Sequence, residues 1–249
     1  MSAVLSLLLA DSRTPTGGYA HSAGLEPAVA AGLRGAEVPA FLSARLETVA
    51  FVDASFAAAA CADARSSAVD RQQQSTAHAD GAAVDAALAA LLALDDELAA
   101  RTPGAPQRAA VRSLGRALLR VAARLAPGDA LLERYAEASA WTPRPVVFGA
   151  VAGATGLTPL EAARLSLYED AAGIAAAAVK LLPLDAVQTT AWVAGLAPRI
   201  EALAVEAARS AAAARPPGAG FGALPATSTP LLDLRALAHE RSDGRLFVS

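Results

Sequence analysis

Residues 158–182, TPLEAARLSLYEDAAGIAAAAVKLL, decide the fold because they carry the clearest helix start in the chain. Thr158 is a favoured N-cap residue, Pro159 suits the first helical position, and Glu161 completes a capping box. The alanine- and leucine-rich run that follows has high helix propensity and stops before Pro183, which cannot continue a helix. The stretch therefore predicts one long helix.

The chain as a whole is also rich in alanine. Of its 249 residues, 69 are alanine, and although 54% are hydrophobic, only 4% are aromatic. Alanine has the highest helix propensity and is depleted in strands, where β-branched and aromatic residues are favoured. We therefore expect an all-α fold.

Prolines and glycines divide the chain into helical patterns joined by short connections, which indicates antiparallel packing. The pattern predicts a single-domain bundle of roughly eight to ten helices with a flexible C-terminal tail. Its parts are an all-helical domain (1–215), a linker (216–230) and a tail (231–249).

Three boundaries inside the helical domain follow from local composition. Residues 38–64 form a long apolar stretch and predict one large helix, whereas the polar residues 66–81 predict an exposed connection. Residues 185–214 predict a last long helix that bends near Pro198, because proline removes a backbone donor.

The charge balance excludes several classes of protein. The formal net charge is −3, with 24 acidic and 21 basic residues and no basic block, which argues against generic nucleic-acid binding. Twenty of the basic residues are arginine, and GC-rich coding explains that excess, so arginine abundance carries little functional weight. The N-terminal apolar run reads as a helix rather than a signal peptide, and no apolar stretch is long enough to span a bilayer. We expect a cytoplasmic protein.

The chain lacks a recognisable catalytic constellation. Asp11, His21 and Ser22 are too close in sequence to assemble a triad readily, and a nucleotide-binding loop would need a lysine after the glycine pair. The single cysteine and the scattered histidines permit a metal site only if the fold brings His21 or His239 to Cys61, or if ligands are shared across a dimer. We expect no catalytic, cofactor or metal site. The alternative is a helical metal-binding or hydrolytic enzyme that uses His21 and Asp11.

Three segments are not explained by bundle formation. The glycine pair in residues 11–26 forms either a tight turn or a place where another chain or an anion approaches the backbone. Helical periodicity puts Glu169 and Lys180 at the two ends of a face of small residues, near rims that solvent or a partner reaches. Lys180 there is either a snorkelling surface lysine or a contact residue. The C-terminal end carries apolar residues at 246–248 that need burial, on the chain's own bundle or on a partner.

Both ends of the chain resemble the family of the urease accessory protein UreF. A motif close to D-S-x-x-P-x-G-G-x-x-H-S-x-G-L-E is matched by Asp11, Ser12, Pro15, Gly17, Gly18, His21, Ser22, Gly24, Leu25 and Glu26. Residues 228–233 supply most of S-x-T-P-L-L-D. The pattern H-E-R-x-x-x-R-L-F-x-S is supplied by His239, Glu240, Arg241, Arg245, Leu246, Phe247 and Ser249. Residues 179–184 are similar to a third family stretch, [VI]-[KR]-L-x-P-[LF].

The resemblance implies a non-enzymatic, all-α scaffold that forms a homodimer and bridges two other proteins, the UreD/UreH protein and the GTPase UreG. The assembly delivers nickel to apo-urease, so nickel is handled by the complex and no cofactor is tightly bound. A scaffold that binds one nucleotide state of UreG more tightly than another shifts that equilibrium without doing chemistry itself.

The resemblance also implies where partners bind. The face that includes Glu26 and Lys180 is associated with UreG, and the tail orders on UreD/UreH. The expected tail contacts are His239, Arg241, Arg245, Leu246 and Phe247. The motif loop itself comprises Asp11, Ser12, Pro15, Gly17, Gly18, His21 and Ser22.

Overall fold

The computed structural model of the chain describes residues 3–11, 13–16, 18–73, 77–214, 220–241 and 245–247. The side chains of residues 3, 69–73 and 77–80 lie outside this description. The described residues fold into α-helices and short 3-10 turns, which confirms the predicted all-α fold. The α-helices are α1 (Ala3–Ala10), α2 (Leu25–Ala30), α3 (Val38–Leu46), α4 (Val49–Gln73), α5 (Ala77–Arg101), α6 (Ala105–Leu125), α7 (Ala130–Ala138), α8 (Arg144–Ala154), α9 (Pro159–Leu181), α10 (Ala186–Gly195), α11 (Ala197–Ala213) and α12 (Pro230–His239).

The helix α9 begins as its sequence predicts. The Thr158 backbone N–H donates to Glu161 Oε2 at 2.7 Å, and the Glu161 backbone N–H donates to Thr158 Oγ1 at 3.3 Å. This reciprocal capping box satisfies two N–H groups that have no partner inside the helix. The helix runs to Leu181, as expected from Pro183.

The centre of the bundle is α4, which packs against α5, α8, α9 and α11. Its contact with α8 is unusually close because α8 presents glycines to it. A Cβ at Gly149 would lie 2.1 Å from the Ala57 carbonyl oxygen, and one at Gly153 would lie 2.6 Å from that of Cys61. Residues 56–61, FAAAAC, are fully buried. Alanine therefore serves here to let helix backbones approach, in addition to favouring the helix.

Two of the predicted segments differ from the structure in where their helices begin and end. The single helix over 38–64 is divided at residues 47–48 into α3 and α4. There the Thr48 hydroxyl donates back to the Ala44 carbonyl oxygen at 2.8 Å, a side-chain bond that bends helices. The predicted connection over 66–81 is mostly helical, since α4 continues to Gln73 and α5 begins at Ala77. Arginine, glutamine and alanine are good helix formers, and their helix propensity outweighs the polar composition of this segment.

The final helical segment is interrupted rather than bent. Leu196 separates α10 from α11, and Pro198 stands in the first turn of α11, where a missing N–H costs no hydrogen bond. No described helix is long and apolar enough to cross a membrane.

Residues 220–227 are hydrogen-bonded to the bundle, and Arg101 makes most of these contacts. Arg101, at the end of α5, donates to the carbonyl oxygens of Leu224 and Pro225 at 3.2 and 3.0 Å. Leu224 is buried, and α12 then packs against α2 and α6. The C-terminal segment is thus led back across the bundle to the N-terminal part of the chain.

Candidate functional site

The site begins where α2 starts, just after the motif loop. Gly24 has a left-handed backbone (φ 88°) that side chains rarely adopt, and it lies against Leu232 of α12. The buried Ser22 hydroxyl accepts a hydrogen bond from the Glu26 backbone N–H at 3.2 Å. These two features fix Glu26 in the first turn of α2, a position that favours a negative charge.

The Glu26 carboxylate holds the end of the chain. The backbone N–H groups of Leu246 and Phe247 donate to its two oxygens at 2.7 and 2.9 Å. His239 Nε2 lies 3.2 Å from Glu26 Oε2, and the two side chains are only 6% and 12% exposed. Hydrogen bonds to a charged carboxylate are stronger than neutral ones, and the bond from Phe247 is partly buried whereas that from Leu246 is exposed. We call this arrangement of Glu26, His239, Leu246 and Phe247 the tail clasp.

Phe247 anchors the tail clasp in the hydrophobic core, where its side chain is 4% exposed. Lys180 Nζ lies 5.3 Å from the centre of the Phe247 ring. A cation at this distance from an aromatic face is worth about 0.5–1 kcal/mol at an exposed site. Lys180 itself is exposed, so its ammonium group covers the buried ring and also faces solvent.

Apolar residues next to the tail clasp remain at the surface. Leu246 is 60% exposed, and on α12 the side chains of Leu231, Leu234 and Leu237 are 58%, 64% and 41% exposed. The other side of α12 is tied down, because Gln107 of α6 donates to Asp233 at 2.9 Å. One face of α12 therefore packs on the bundle while its leucine face is open.

Five of the predicted partner-binding residues are thus brought together, although they come from three distant parts of the sequence. They are Glu26, Lys180, His239, Leu246 and Phe247. Arg241 and Arg245 lie beside them on the surface. Ser249 falls outside the described residues.

The motif loop that leads into this site is arranged by local contacts. Asp11 accepts hydrogen bonds from the Arg13 side chain at 2.6–3.0 Å, which lower the pKa of its carboxyl to about 2. Pro15 follows in a bend, and Gly18 opens a 3-10 turn that leads to His21. Burial, with a smaller effect from Arg144, lowers the pKa of His21. Ser12 and Gly17, also predicted here, lie outside the described residues.

The predicted alternative of a metal site through Cys61 does not fit the structure. The Cys61 thiol is buried and donates to the Leu157 carbonyl oxygen at 3.3 Å. Burial raises the pKa of this thiol to about 12, whereas a metal ligand must be a thiolate. Within the described part of the chain, no cluster of three or more His, Cys, Asp or Glu side chains is placed to hold a metal ion.

A buried group of charges lies beneath the loop, and it corrects one prediction. Glu169 does not lie at a solvent rim, because its carboxylate accepts a hydrogen bond from Arg144 at 2.6 Å and is 14% exposed. The neighbouring Asp170 accepts from Arg45 at 2.8–3.0 Å. Burial raises the pKa of the nearby Asp53 to about 7, although Arg45 and Arg144 act against that rise. Lys180, at the other end of the helical face, is exposed as predicted.

One charged surface was not predicted from the sequence. Helix α6 carries arginines at every fourth position and has no acidic residue. Arg112, Arg116, Arg120 and Arg124 are exposed and lie along one side of the helix; we call them the arginine stripe. The four-residue spacing was visible in the sequence, but counting whole-chain charge and looking for consecutive basic residues does not detect it.

Known proteins resemble this chain over its whole length. The UreF family profile matches residues 34–197. The urease accessory protein UreF of Mycolicibacterium vanbaalenii is 37% identical over 253 aligned residues, which cover 100% of both chains. The protein of the same name from Mycobacterium sp. strain JLS is 35% identical over 98% of this chain and 97% of its own length. The one from Mycobacterium tuberculosis is 36% identical over 100% of this chain and 99% of its own.

Proposed function

The chain belongs to the UreF family of urease accessory proteins, and from that membership we propose that it bridges the UreD/UreH protein and the GTPase UreG during nickel delivery to apo-urease. As a family member it acts in urease maturation and is an accessory protein, not an enzyme. The predicted hydrolytic alternative using His21 and Asp11 is therefore wrong. Nickel in this proposal is the cargo of the complex.

The observation that carries the proposal is the tail clasp. Segments of sequence more than two hundred residues apart, Glu26 and Leu246-Phe247, meet through two backbone hydrogen bonds and a buried aromatic anchor. The exposed leucine face of α12 and the exposed Leu246 lie next to the tail clasp. Apolar side chains gathered on one surface are typical of a protein-binding site. We assign this surface to UreD/UreH.

The UreG contact is assigned to the surface around Lys180. Its ammonium group is exposed while it also lies on the Phe247 ring. The affinity of a partner that binds Lys180 would therefore depend on whether Phe247 is docked beneath it. If UreG in one nucleotide state binds this surface more tightly than in another, binding shifts the nucleotide equilibrium by the difference in affinity.

A homodimer is part of the proposal. Exposed apolar side chains on α1 support it, since Val4, Leu7 and Leu8 are 60%, 69% and 41% exposed. Neighbouring large apolar side chains on one helix are usually covered by another surface.

Capture of the two partners by tail and lysine variants tests the bridging role. Deleting residues 245–249 should abolish capture of UreD/UreH and activation of urease. Because the deletion also removes the buried Phe247, a second variant, Leu246→Asp, places a charge on an exposed side chain and should give the same loss while the thermal midpoint stays unchanged. If capture and activation both persist in these variants, the tail does not bind UreD/UreH.

Lys180→Ala forms the other arm of the same experiment. It should weaken UreG recruitment about tenfold and leave UreD/UreH capture intact. Arg209→Ala on α11 is the matched control, since it removes another exposed cation. Lys180→Arg keeps a cation over the Phe247 ring and should restore recruitment in part. The reverse pattern, with UreD/UreH lost and UreG retained, would contradict the assignment.

A further inference from the structure

The arginine stripe has no counter-charge among the residues that the structure describes. Among the described residues, no carboxylate lies within ion-pair distance of Arg112, Arg116, Arg120 or Arg124. By contrast Arg108, one turn before the stripe, donates to the carbonyl oxygens of Thr102 and Pro103. The chain as a whole is acidic, with a net charge of −3. Four exposed arginines on one helix, unpaired within the described part of the chain, are therefore a local feature and not a consequence of overall charge.

The arginine stripe borders a groove of about 580 Å³. Arg112, Arg116 and Arg120 form one wall, and Pro15 and Tyr19 of the N-terminal segment contribute to the lining. Tyr19 is 68% exposed. Alanines of α6 line the groove between the arginines, and no acidic side chain of the described residues lines it. Thr16 and Ser113 complete the lining, so the groove combines small apolar and hydroxyl side chains with a row of positive charges.

The opposite face of α6 is held firmly. A Cβ at Gly115 would lie 1.8 Å from the Thr142 carbonyl oxygen, and Leu118 and Ala122 are buried against the bundle. The row of arginines is consequently presented by a helix whose position is fixed by packing. A pre-ordered surface loses little conformational freedom on binding, which favours affinity.

We propose that the arginine stripe and its groove bind an acidic amphipathic helix of a partner protein. Side chains four residues apart on a helix rise by about 6 Å, so the stripe extends about 18 Å from Arg112 to Arg124. Glutamates or aspartates at the same spacing match this row, and guanidinium groups pair with carboxylates through two hydrogen bonds. The apolar side chains of the same helix fit the alanine, proline and tyrosine lining.

Two features favour an acidic helix over a phosphate ligand or nucleic acid. A phosphate site gathers its cations around one point, whereas these arginines are drawn out along a line. Nucleic-acid affinity rests on long-range positive charge, and the net charge of this chain is negative. This surface is distinct from the tail clasp, and the inference does not depend on the bridging role proposed above.

Binding of a synthetic peptide tests the inference directly. The probe is a fluorescent helical peptide of about 20 residues, with glutamate at every fourth position and leucine on the adjacent face. A scrambled peptide of identical composition and a single-stranded RNA of about 20 nucleotides are compared with it by anisotropy. The full chain should bind the spaced peptide more tightly than either, and binding should weaken as salt rises.

Charge reversal then locates the site. Arg116→Glu, at the centre of the arginine stripe, should weaken the spaced peptide about tenfold. Arg209→Glu changes the net charge equally on the exposed surface of α11 and should change binding less than about twofold. Circular dichroism checks that both variants are folded.

Three results would overturn the inference. Equal losses in the two variants would mean that only overall charge attracts the peptide. Equal binding of the spaced and scrambled peptides would mean that the four-residue spacing of the glutamates does not contribute to binding. Tighter binding of the RNA would assign the arginine stripe to nucleic acid.

Discussion

Some arginines of this protein are buried in ion pairs, and others are exposed along one helix. The difference distinguishes arginines that stabilise the fold from arginines that a partner can contact. Arg45 and Arg144 are largely buried, and each is paired with a carboxylate. Arg112, Arg116 and Arg120 are exposed and, among the described residues, have no such pair. The chain uses one residue type for both purposes, so composition alone cannot tell them apart.

The physical reason lies in desolvation. Removing a charge from water costs several kcal/mol, and only a well-placed opposite charge with hydrogen bonds offsets that cost. An exposed arginine keeps its hydration and needs no partner inside the molecule. The interior arginines are therefore bound to their carboxylates by necessity, whereas those of the arginine stripe remain available.

Among substitutions of these arginines, Arg144→Ala should cause the largest change in the free energy of unfolding. It leaves the buried Glu169 carboxylate without its cation and removes a guanidinium lying 5.4 Å from the Phe148 ring centre. We expect the free energy of unfolding to fall by about 3–5 kcal/mol at pH 8, measured by urea titration. The loss should be smaller at pH 5, because Glu169 can then take up a proton. A loss below about 1 kcal/mol at pH 8 would mean that the pair is not needed to neutralise Glu169.

Local signals in the sequence predict the helices well, because caps and proline act on their immediate neighbours. Thr158 and Pro159 start α9 as expected. The division between α3 and α4 is different, since no proline or glycine marks Thr48. There a side-chain hydrogen bond and the distant pairing of Arg45 with Asp170 accompany the change of direction.

The tail clasp was predictable only as a set of residues. Glu26 and Phe247 both stand in motifs, but nothing in either motif says that the two segments touch, since the contact is made by backbone N–H groups. Similarly, the alanines at 57–60 predict a helix but not its close approach to Gly149. Contacts between distant segments depend on tertiary packing, which a single sequence does not display.

Asp53→Asn should give the next largest effect, and it tests the buried group of charges through the dependence of stability on pH. Burial raises the pKa of Asp53 from 3.8 to about 7 in the folded protein, with Asp170 adding to the rise. The folded state thus binds a proton more readily than the unfolded state. The stabilisation from that proton is complete below about pH 4 and is lost as the pH rises through 7.

An uncharged asparagine avoids this loss. At pH 8 the variant should be more stable than the parent by up to roughly 4 kcal/mol, and near pH 4 the difference should shrink towards zero. Urea titrations at both pH values measure it. If the variant is less stable than the parent at pH 8, attraction to Arg45 and Arg144 outweighs the burial of Asp53.

Arg120→Ala should have the smallest effect and should differ in sign from Arg144→Ala. Arg120 is exposed, and its neighbours on α6 at four residues before and after, Arg116 and Arg124, carry the same charge. Like charges at this spacing destabilise a helix by a few tenths of a kcal/mol, and alanine is the better helix former. The variant should therefore be as stable as the parent or more stable by up to about 0.5 kcal/mol, with the gain larger at low salt. A clear loss of stability would show that Arg120 makes a structural contact and does not belong to a surface kept free for a partner.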